Sequence, residues 1–383
     1  MKKVELELRS LASTIASSNI WLTKNLRTLV EIESPSDDPA AVNRANDFVA
    51  ELAKALGAKA KIHKQKHFGH ILELHFGPQR SKQKPLLLLG HLDTVWPMGT
   101  LKSMPWREAD GRFWGPGVLD MKAGVIMALT ALRSLRESDA LTRPVTLLLN
   151  SDEEVGSTVS RPITESLAGE SAGVFVLEPA QGLAYKTARK GVGEYRLHVT
   201  GVASHSGVDF DRGHSAIREI ARLVETVSGF TDPTRKRTVN CGVIGGGTRS
   251  NVVAAEAFAE VDVRIAKASD AARVGKLFRS LKVTDKACRL TVEGGINRPP
   301  MERTSGTVAL FKQARQLAAE LGFTLDEAST GGGSDGNFTS ALGIPTLDGM
   351  GAVGDGAHAA HESIVIEHLT PRTALLAAMI ATT

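Results

Sequence analysis

Three short apolar runs constrain the fold of this 383-residue chain most strongly. They occupy residues 85–90, 145–149 and 173–177 and read PLLLLG, VTLLL and GVFVL. Each run is shorter than an ordinary helix, and none alternates as a strand with one face in water would. Such runs are typical of parallel strands that are buried on both faces. Because a helical pattern at Ala123–Leu135 separates the first two, the sequence predicts an α/β sheet covered by helices.

The N-terminal part of the chain fits the same architecture. Apolar residues recur at helical spacing in Glu5–Val30 and in Pro39–Leu56, and Gly57 ends the second pattern. A strand pair is predicted at Lys59–Lys64 and His70–Phe76. These elements extend the predicted α/β domain toward the N-terminus.

The middle of the chain follows a different order. Its pattern is β-α-β-β-α-β, which is that of a ferredoxin-like module. Strands are predicted at Glu194–Thr200, Arg237–Ile244, Ala255–Ile265 and Cys288–Glu293, and helices at Ser215–Ser228 and Ser269–Leu281. We therefore expect a smaller domain at residues 191–298, inserted into a larger domain formed by residues 1–190 and 299–383.

Charge and composition limit the classes of molecule that the protein is expected to bind. Forty-six basic residues face forty-two acidic ones, which gives a formal charge of +4 and a sequence pI of about 9.0. No Lys/Arg block or aromatic series of the kind that binds nucleic acid is present in the sequence. The small positive excess is compatible with a small anionic substrate.

Membrane insertion and secretion are not expected from the sequence. No stretch approaches the roughly 18 apolar residues that a bilayer requires, and acidic residues interrupt the apolar N-terminal segment. Cys241 and Cys288 lie far apart without metal-binding spacing, so we expect buried thiols in a reducing, cytoplasmic compartment. A single bridge between the two cysteines remains open at this point.

Five short segments carry acidic or histidine side chains, and four of them lie just after an apolar strand or in a glycine-rich loop. Loops at the carboxyl ends of the strands form the ligand crevice of open α/β sheets. Each residue alone has an ordinary structural explanation, such as an N-cap Asp, a surface His or a solvated acidic loop. The segments are GHLDT with His91 and Asp93, GVLDMK with Asp120, SDEEVG with Glu153 and Glu154, LEP with Glu178, and GAH with His358.

Together these residue types favour a two-metal site. Neutral imidazole and carboxylate oxygens are ligands for zinc, cobalt or manganese, and one carboxylate can bridge two cations. The adjacent pair Glu153 and Glu154 suits a division in which one binds metal and the other moves a proton. Asp93 lies close enough to His91 to orient its ring. His361 is a competing candidate for the role of His358.

These motifs resemble the M20 family of metallopeptidases, which includes glutamate carboxypeptidases, acetylornithine deacetylase and succinyl-diaminopimelate desuccinylase. The matching stretches span almost the whole chain in family order. They are GHLDTV, GPGVLDMKAG, SDEEVGS, LEPA, KTARKG, ASHSG, NVV, VDVR, GGGSDG and GDGAHAAHES. The first of them and LEPA look most like the glutamate carboxypeptidase branch. The resemblance implies a zinc-aminopeptidase-like catalytic domain with an inserted ferredoxin-like lid that also forms a homodimer.

The resemblance also assigns roles to residues. It implies that the metal ligands are His91, Asp120, Glu154, Glu178 and His358, with Asp120 bridging two divalent ions, preferably zinc. It implies that Asp93 orients a ligand and that Glu153 is the general base. In the lid, His205 looks like the residue that stabilises the oxyanion in the partner subunit's site. The substrate contacts that it implies are Asn251, Arg264, Arg298 and Gly333.

The expected activity is metal-dependent hydrolysis of an amide or peptide bond next to a free carboxylate, releasing a C-terminal amino acid of glutamate type. The expected partner is accordingly a small acidic peptide or an N-acyl amino acid. One alternative is a deacylase or amidohydrolase of N-acyl or conjugated amino acids, because the same metal ligands serve both reactions. An alternative of another class is a metal-dependent binding protein without catalysis.

Overall fold

The computed structural model describes residues 8–78 and 80–383, the side chains of Leu8 and Arg9 excepted. The chain divides into two compact units. Unit 1 extends to Ala188 and resumes as Arg303–Ser329 and Ser334–Thr383. Unit 2 comprises Arg189–Glu302 and Thr330–Gly333. Unit 2 is therefore an insertion in the sequence of unit 1, and it includes a second, very short segment.

Helices and strands alternate along most of both units, and the elements that lie within Arg189–Glu302 belong to unit 2. The helices, in chain order, are α1 (Leu8–Ser17), α2 (Asn19–Glu31), α3 (Pro39–Ala55), α4 (Ala123–Glu137), α5 (Arg161–Glu170), α6 (Ala216–Ser228), α7 (Ser269–Arg279), α8 (Ser305–Glu320), α9 (Gly336–Ala341) and α10 (Leu369–Thr382). The strands are β1 (Lys59–His63), β2 (Ile71–Phe76), β3 (Leu86–His91), β4 (Arg107–Ala109), β5 (Arg112–Trp114), β6 (Val145–Asn150), β7 (Gly173–Val176), β8 (Tyr185–Arg189), β9 (Gly191–Thr200), β10 (Thr238–Gly246), β11 (Glu256–Ile265), β12 (Arg289–Arg298), β13 (Glu327–Thr330), β14 (Thr346–Leu347), β15 (Gly354–Asp355) and β16 (Ser363–Val365).

The main sheet of unit 1 has six strands in the order β1-β2-β6-β3-β7-β14. Strand β3 pairs in parallel with both β6 and β7, and β14 pairs in parallel with β7. Strands β1 and β2 extend the sheet by antiparallel pairing. Every residue of β3, β6 and β7 is buried. The prediction of buried parallel strands at the three apolar runs is confirmed.

Both faces of this sheet are covered, which explains why its central strands are apolar throughout. Side chains point alternately to the two faces of a strand. Leu86 and Leu88 of β3 pack into a large core with α4 and α10, whereas Leu87 and Leu89 pack into a second core with Ala168 of α5. Burying one such leucine stabilises the fold by roughly 1.5–3 kcal/mol before cavity effects are counted. The carboxyl ends of β3, β6 and β7 lie at the same edge, where the candidate site residues begin.

Unit 2 contains a four-stranded antiparallel sheet in the order β10-β11-β9-β12. Buried residues alternate along strand β9: Tyr195, Leu197 and Val199 are buried, whereas Glu194 and Arg196 are exposed. Helices α6 and α7 cover the buried face of the sheet, as expected for its apolar side. The β-α-β-β-α-β order that the sequence predicted for this region is confirmed.

Several features differ from the prediction or were not anticipated. The helix expected at Glu5–Val30 is two helices, α1 and α2, that meet at Ser18, and residues 5–7 lie outside the described residues. A sheet of four short strands in the order β15-β16-β5-β4 was not predicted. Cys241 and Cys288 are both free thiols; Cys288 is buried as expected, but Cys241 is only partly buried. Within the described ranges, none of the helices has the length and apolar character that crossing a membrane demands.

Candidate metal centre

His91 ends strand β3 and is 1% exposed. Its Nε2 atom lies 3.2 Å from Oδ1 of Asp120 and 3.7 Å from Oε1 of Glu178. Its Nδ1 atom lies 2.9 Å from the backbone oxygen of Asp93 and 3.5 Å from the carboxylate oxygen Oδ1 of the same residue. Asp93 therefore faces the far side of the ring, where an orienting residue would act, but the closer contact is made by its backbone.

Asp93 itself is fully buried and holds more than the imidazole. Its Oδ2 atom accepts a hydrogen bond from Ser36 at 2.7 Å and one from the backbone N–H of Glu154 at 3.2 Å. Its Oδ1 atom accepts from the backbone N–H of Glu153, also at 3.2 Å. One buried carboxylate thus connects the end of β3 with the loop that follows β6.

Asp120 faces two histidines. It lies in an irregular turn, Val118–Lys122, that precedes helix α4, and the peptide bond after it is cis. Its Oδ1 atom is 3.2 Å from Nε2 of His91, and its Oδ2 atom is 3.3 Å from Nε2 of His358. The two oxygens of one carboxylate are therefore directed to two different imidazoles. This is the arrangement that a carboxylate shared between two cations requires.

His358 forms a second cluster with Glu154. Its Nε2 atom lies 3.2 Å from Oε2 of Glu154, whose side chain is 7% exposed. His358 follows strand β15 in a loop and adopts a positive φ of 62°, while about half of its side chain is exposed. His361 is also exposed, but the contacts to Asp120 and Glu154 are made by the ring of His358.

Glu153 and Glu178 complete the arrangement around His91. One ligand atom from each of His91, Glu153 and Glu178 lies within 4.8 Å of the others, and the same holds for His91, Asp120 and Glu154. Glu178 directly follows Leu177, after β7, while Glu153 begins a short turn after β6. The structure therefore brings together all seven residues that the sequence assigned to the metal centre.

The electrostatics of this cluster reflect a concentration of negative charge. Hydrogen bonds to Asp120 and Glu154 raise the pKa of His358 to about 10. Burial lowers the pKa of His91, but hydrogen bonds to Asp120 and Asp93 outweigh it, so the net shift is well upward. Burial raises the pKa of Asp120, yet its bonds to His358 and His91 bring it below the usual value. Burial raises the pKa of Glu154 above its usual value.

The residues fit a pair of divalent cations. The Oε1 atom of Glu154 is buried and has no hydrogen-bond partner, so a carboxylate oxygen in the cluster has an unused lone pair. The donor set is nitrogen and oxygen without thiolate, which suits zinc, cobalt or manganese. One group would consist of His91, Asp120 and Glu178, and the other of Asp120, Glu154 and His358.

In unit 2, the structure places His205 and Asn251 in neighbouring loops. His205 is exposed, forms an isolated bridge with Val252, and accepts a hydrogen bond at Nδ1 from the backbone N–H of Gly207 at 3.1 Å. The backbone oxygen of Asn251 accepts from Ser206 at 3.0 Å. Both side chains are at the surface of unit 2, where a substrate or a second subunit could reach them.

Arg264, Arg298 and Gly333 form a second group within unit 2. Arg264 on β11 and Arg298 on β12 are both in register with Val192 on the intervening strand β9, so they flank the same residue. A Cβ atom at Gly333 would lie 3.0 Å from Cδ of Arg298. Arg264 also binds Asp262, at 2.7 Å, which occupies part of its guanidinium. The arrangement places two guanidinium groups on the two strands that flank β9, and guanidinium groups suit the geometry of a carboxylate.

Sequence reasoning missed residues that support this site. Ser36 contacts Asp93 from 57 positions away in the chain, and no motif points to it. In unit 2, Arg189 donates to the backbone oxygen of Gly333 at 3.0 Å and so anchors the glycine-rich segment. Arg189 lies in the KTARKG stretch that resembles the family, so the sequence marked this residue. Its partner Gly333 could not be inferred from the spacing.

Comparison with known proteins places the chain in a family. A family model described as peptidase family M20/M25/M40 matches residues 87–382. The chain belongs to this family. It is thus an enzyme of a metal-dependent peptidase and amidohydrolase family, as the sequence motifs indicated.

Among relatives of this M20 chain, carboxypeptidase G2 of Pseudomonas sp. (strain RS-16) is 29% identical over 365 residues, covering 93% of this chain and 87% of the relative. Acetylornithine deacetylase of Myxococcus xanthus is 28% identical over 324 residues, covering 80% and 82%. The crystal structure of aminopeptidase PepT from Bacillus cereus ATCC 10987 superposes with a TM-score of 0.78 at 22% identity, covering 94% of this chain and 97% of the other. This last likeness concerns the fold alone.

Proposed function

We propose that this M20 chain hydrolyses an amide or peptide bond next to a free carboxylate and releases a C-terminal amino acid of glutamate type. The observation that carries the proposal is the pair of His-Glu clusters that share Asp120, with Glu153 beside one of them. The similarity to carboxypeptidase G2 over most of both chains supports the carboxypeptidase reaction.

The proposed metal ligands are His91, Asp120, Glu154, Glu178 and His358, with Asp120 shared. When bound, two divalent ions, preferably zinc and alternatively cobalt or manganese, would polarise the scissile carbonyl and make a water molecule more acidic. The chain's own ligands fix where those ions would lie. Asp93 contacts the ring of His91 and accepts hydrogen bonds from the backbone of Glu153 and Glu154. It therefore fixes the position of the proposed ligands His91 and Glu154 relative to the proposed base Glu153.

Glu153 acts as general base and then as general acid in this proposal. Its carboxylate takes one proton from the attacking water as the C–O bond forms, and returns that proton to the leaving nitrogen as the C–N bond breaks. His205 donates a hydrogen bond to the oxyanion of the tetrahedral intermediate. The free carboxylate of the substrate is bound by Arg298 and Arg264, with Gly333 and Asn251 contributing further contacts.

A hydrolysis screen tests the proposal. Metal-loaded protein would be assayed on N-acyl amino acids and dipeptides that end in glutamate, aspartate, ornithine or neutral residues, beside a chelator-treated sample. Chelator-sensitive release of a C-terminal acidic amino acid is the expected result. The Glu153→Gln variant serves as the matched control, because it retains the volume of the side chain and all proposed ligands.

The screen also distinguishes two alternatives. Turnover of only N-acetyl or conjugated amino acids would assign the chain to deacylases, which the similarity to acetylornithine deacetylase makes a specific second candidate. Two bound metals without turnover of any substrate would overturn the catalytic proposal in favour of a metal-dependent binding protein.

We further propose that unit 2 is a lid and a dimerisation domain, and that His205 acts in the partner subunit's site. Strand β10 is a sheet edge, and its Val243 and Ile244 side chains are exposed, which is the type of surface that a second copy can cover. A cytoplasmic location is part of the proposal and is compatible with two free thiols.

Mixing two inactive variants tests the action in trans. His205→Ala and Glu153→Gln would be unfolded and refolded together. If His205 acts in trans, each mixed dimer contains one complete site, and random assortment restores about a quarter of the wild-type activity. If mixed dimers form, as shown by differently tagged chains, and remain inactive, His205 does not act in trans.

A further inference from the structure

Glu362 is a buried carboxylate whose two oxygens are both used. It directly precedes strand β16 and is 0% exposed. Its Oε1 atom accepts from the backbone N–H groups of Leu119 at 2.8 Å and Asp120 at 3.0 Å. Its Oε2 atom accepts from the backbone N–H of Gly117 at 2.9 Å and from Nε1 of Trp96 at 2.7 Å. Four donors converge on one side chain, which offsets the cost of removing a carboxylate from water.

Two of these donors, Leu119 and Asp120, belong to the irregular turn that carries Asp120, and a third, Gly117, directly precedes it. Gly117 has a φ of 69°, and Asp120 has φ and ψ of −113° and 96°, so the turn departs from helical geometry. Backbone N–H groups in such a turn lack the regular partners of a helix and need another acceptor when they are buried. The carboxylate of Glu362 is that acceptor for residues 117, 119 and 120.

The fourth donor connects a second strand-end loop to the same carboxylate. Trp96 lies five residues after the end of β3, in the loop that also contains Asp93 and Thr94. Glu362 is therefore hydrogen-bonded to the segment after His91 and to the turn of Asp120, two segments that contribute neighbouring site residues. A single side chain near the end of the sequence ties both to β16.

We propose that Glu362 is a positioning residue that holds the backbone of Asp120 so that its two carboxylate oxygens face His91 and His358. The proposal rests on the proposed function only in that Asp120 is the shared metal ligand. Glu362 touches neither the proposed metals nor the substrate, since its oxygens are occupied by backbone and indole N–H groups. Glu362 acts through its hydrogen bond with the backbone N–H of Asp120. This bond fixes the backbone of Asp120 and therefore the position from which the Asp120 side chain extends.

The chain offers a matched control in Glu33. This residue also accepts two backbone hydrogen bonds, from Gly99 at 3.0 Å and Leu101 at 2.9 Å, but none from the Asp120 turn. Glu362→Gln and Glu33→Gln make the same chemical change to a carboxylate that binds backbone N–H groups. In Glu362→Gln, the new NH2 group must face N–H donors, so about half of the hydrogen bonds are lost while the side-chain volume is kept.

The experiment measures metal binding and not turnover. Zinc affinity and stoichiometry would be determined by competition with a chromogenic chelator, and the melting temperature of each metal-free variant would be recorded. Outer residues that orient metal ligands typically change metal affinity by about 10–100-fold. We expect such a loss in Glu362→Gln and an affinity within about twofold of wild type in Glu33→Gln. Trp96→Phe, which removes one donor and keeps an aromatic ring, should give a smaller loss.

Wild-type zinc affinity and stoichiometry in folded Glu362→Gln would overturn the proposal, as would equal losses in the two Glu→Gln variants at equal melting temperatures. If Glu362→Gln does not fold, Trp96→Phe decides the question, because unchanged zinc affinity in that variant contradicts the proposed link. A protein that binds two zinc ions but hydrolyses nothing would refute the proposed function and leave this inference intact.

Discussion

Replacing Gly124 with alanine should destabilise unit 1 even though it lies in a helix. Gly124 is the second residue of α4, and a Cβ atom there would fall well inside van der Waals distance of the backbone oxygen of Leu177. Leu177 immediately precedes the proposed ligand Glu178. Gly351 contacts the same segment, since its N–H donates to the oxygen of Glu178 at 2.9 Å. The segment is therefore confined and has little freedom to move aside.

Two opposing effects determine how much Gly124→Ala changes the free energy of unfolding. Alanine is favoured over glycine by up to about 1 kcal/mol within a helix, whereas overpacking a close contact typically costs roughly 1–3 kcal/mol. The clash here involves backbone, so we expect it to win and to lower the free energy of unfolding by about 1–2 kcal/mol. Gly169 in α5 is the control, because it is exposed and a Cβ atom there meets no atom within 4 Å. Gly169→Ala should be neutral or stabilise by up to about 1 kcal/mol.

Thermal unfolding and bound-metal analysis would be compared for the two variants. At roughly 2–4 °C per kcal/mol for a unit of this size, Gly124→Ala should melt several degrees below wild type and Gly169→Ala at or above it. Because the clash displaces the backbone before Glu178, only Gly124→Ala should also retain less zinc after dialysis. A Gly124→Ala protein that melts at or above the wild-type temperature with full metal content would refute the reasoning about this contact.

Three further predictions concern single side chains. Glu153→Gln should lower kcat by about 10²–10⁴-fold while metal content stays at the wild-type level; near-normal turnover would exclude Glu153 as the base. Arg298→Lys should raise KM for substrates with a free carboxylate more than it lowers kcat, because an ammonium cannot form the paired contacts of a guanidinium; an unchanged KM in steady-state kinetics would argue against this contact. Glu73, a buried residue bound by His63 and by Lys61, has a pKa that burial raises but that these hydrogen bonds bring below the usual 4.5. The ionised side chain should stabilise the fold above about pH 4.5, and this stabilisation should be lost as the pH falls through the lower pKa of the folded state. The melting temperatures of wild type and Glu73→Gln should therefore converge on acidification. A difference between them that widens would contradict this prediction.

The parts of the fold that sequence predicted well are those with strong local signals. Continuous apolar runs of five or six residues are shorter than an ordinary helix and favour buried strands. The bounds of β3, β6 and β7 agree with these runs within a residue or two. Strict alternation similarly identified β9. Strands of two or three residues, such as β15 and β16, have no periodicity to detect, and they are held by pairing with β5 from far away in the chain. The break between α1 and α2 at Ser18 lacks glycine or proline, so no local signal marks it.

The candidate site shows the same division. The residues proposed for the metal centre could be singled out in the sequence because each is at or near the end of an apolar strand or in a motif of the family. The residues that hold them were not found, because their partners are distant in sequence. Ser36 reaches Asp93 across 57 positions, and Glu362 reaches Asp120 across 242. Such contacts depend on how several helices and strands are arranged in the folded chain, and they cannot be predicted from sequence spacing or residue type.

The distribution of the proposed ligands along the chain has a consequence for biosynthesis. Four of them, His91, Asp120, Glu154 and Glu178, are translated before unit 2 begins, whereas His358 follows both segments of unit 2. Helix α10, which packs in the same core as α4, comes later still. Unit 2 is nearly continuous in sequence and can complete its own core on the ribosome while unit 1 still lacks its last helices, since domains generally fold as they emerge. A site that needs both Asp120 and His358 can then form only after unit 2 has been translated, so binding of the proposed metals would follow the synthesis of unit 2.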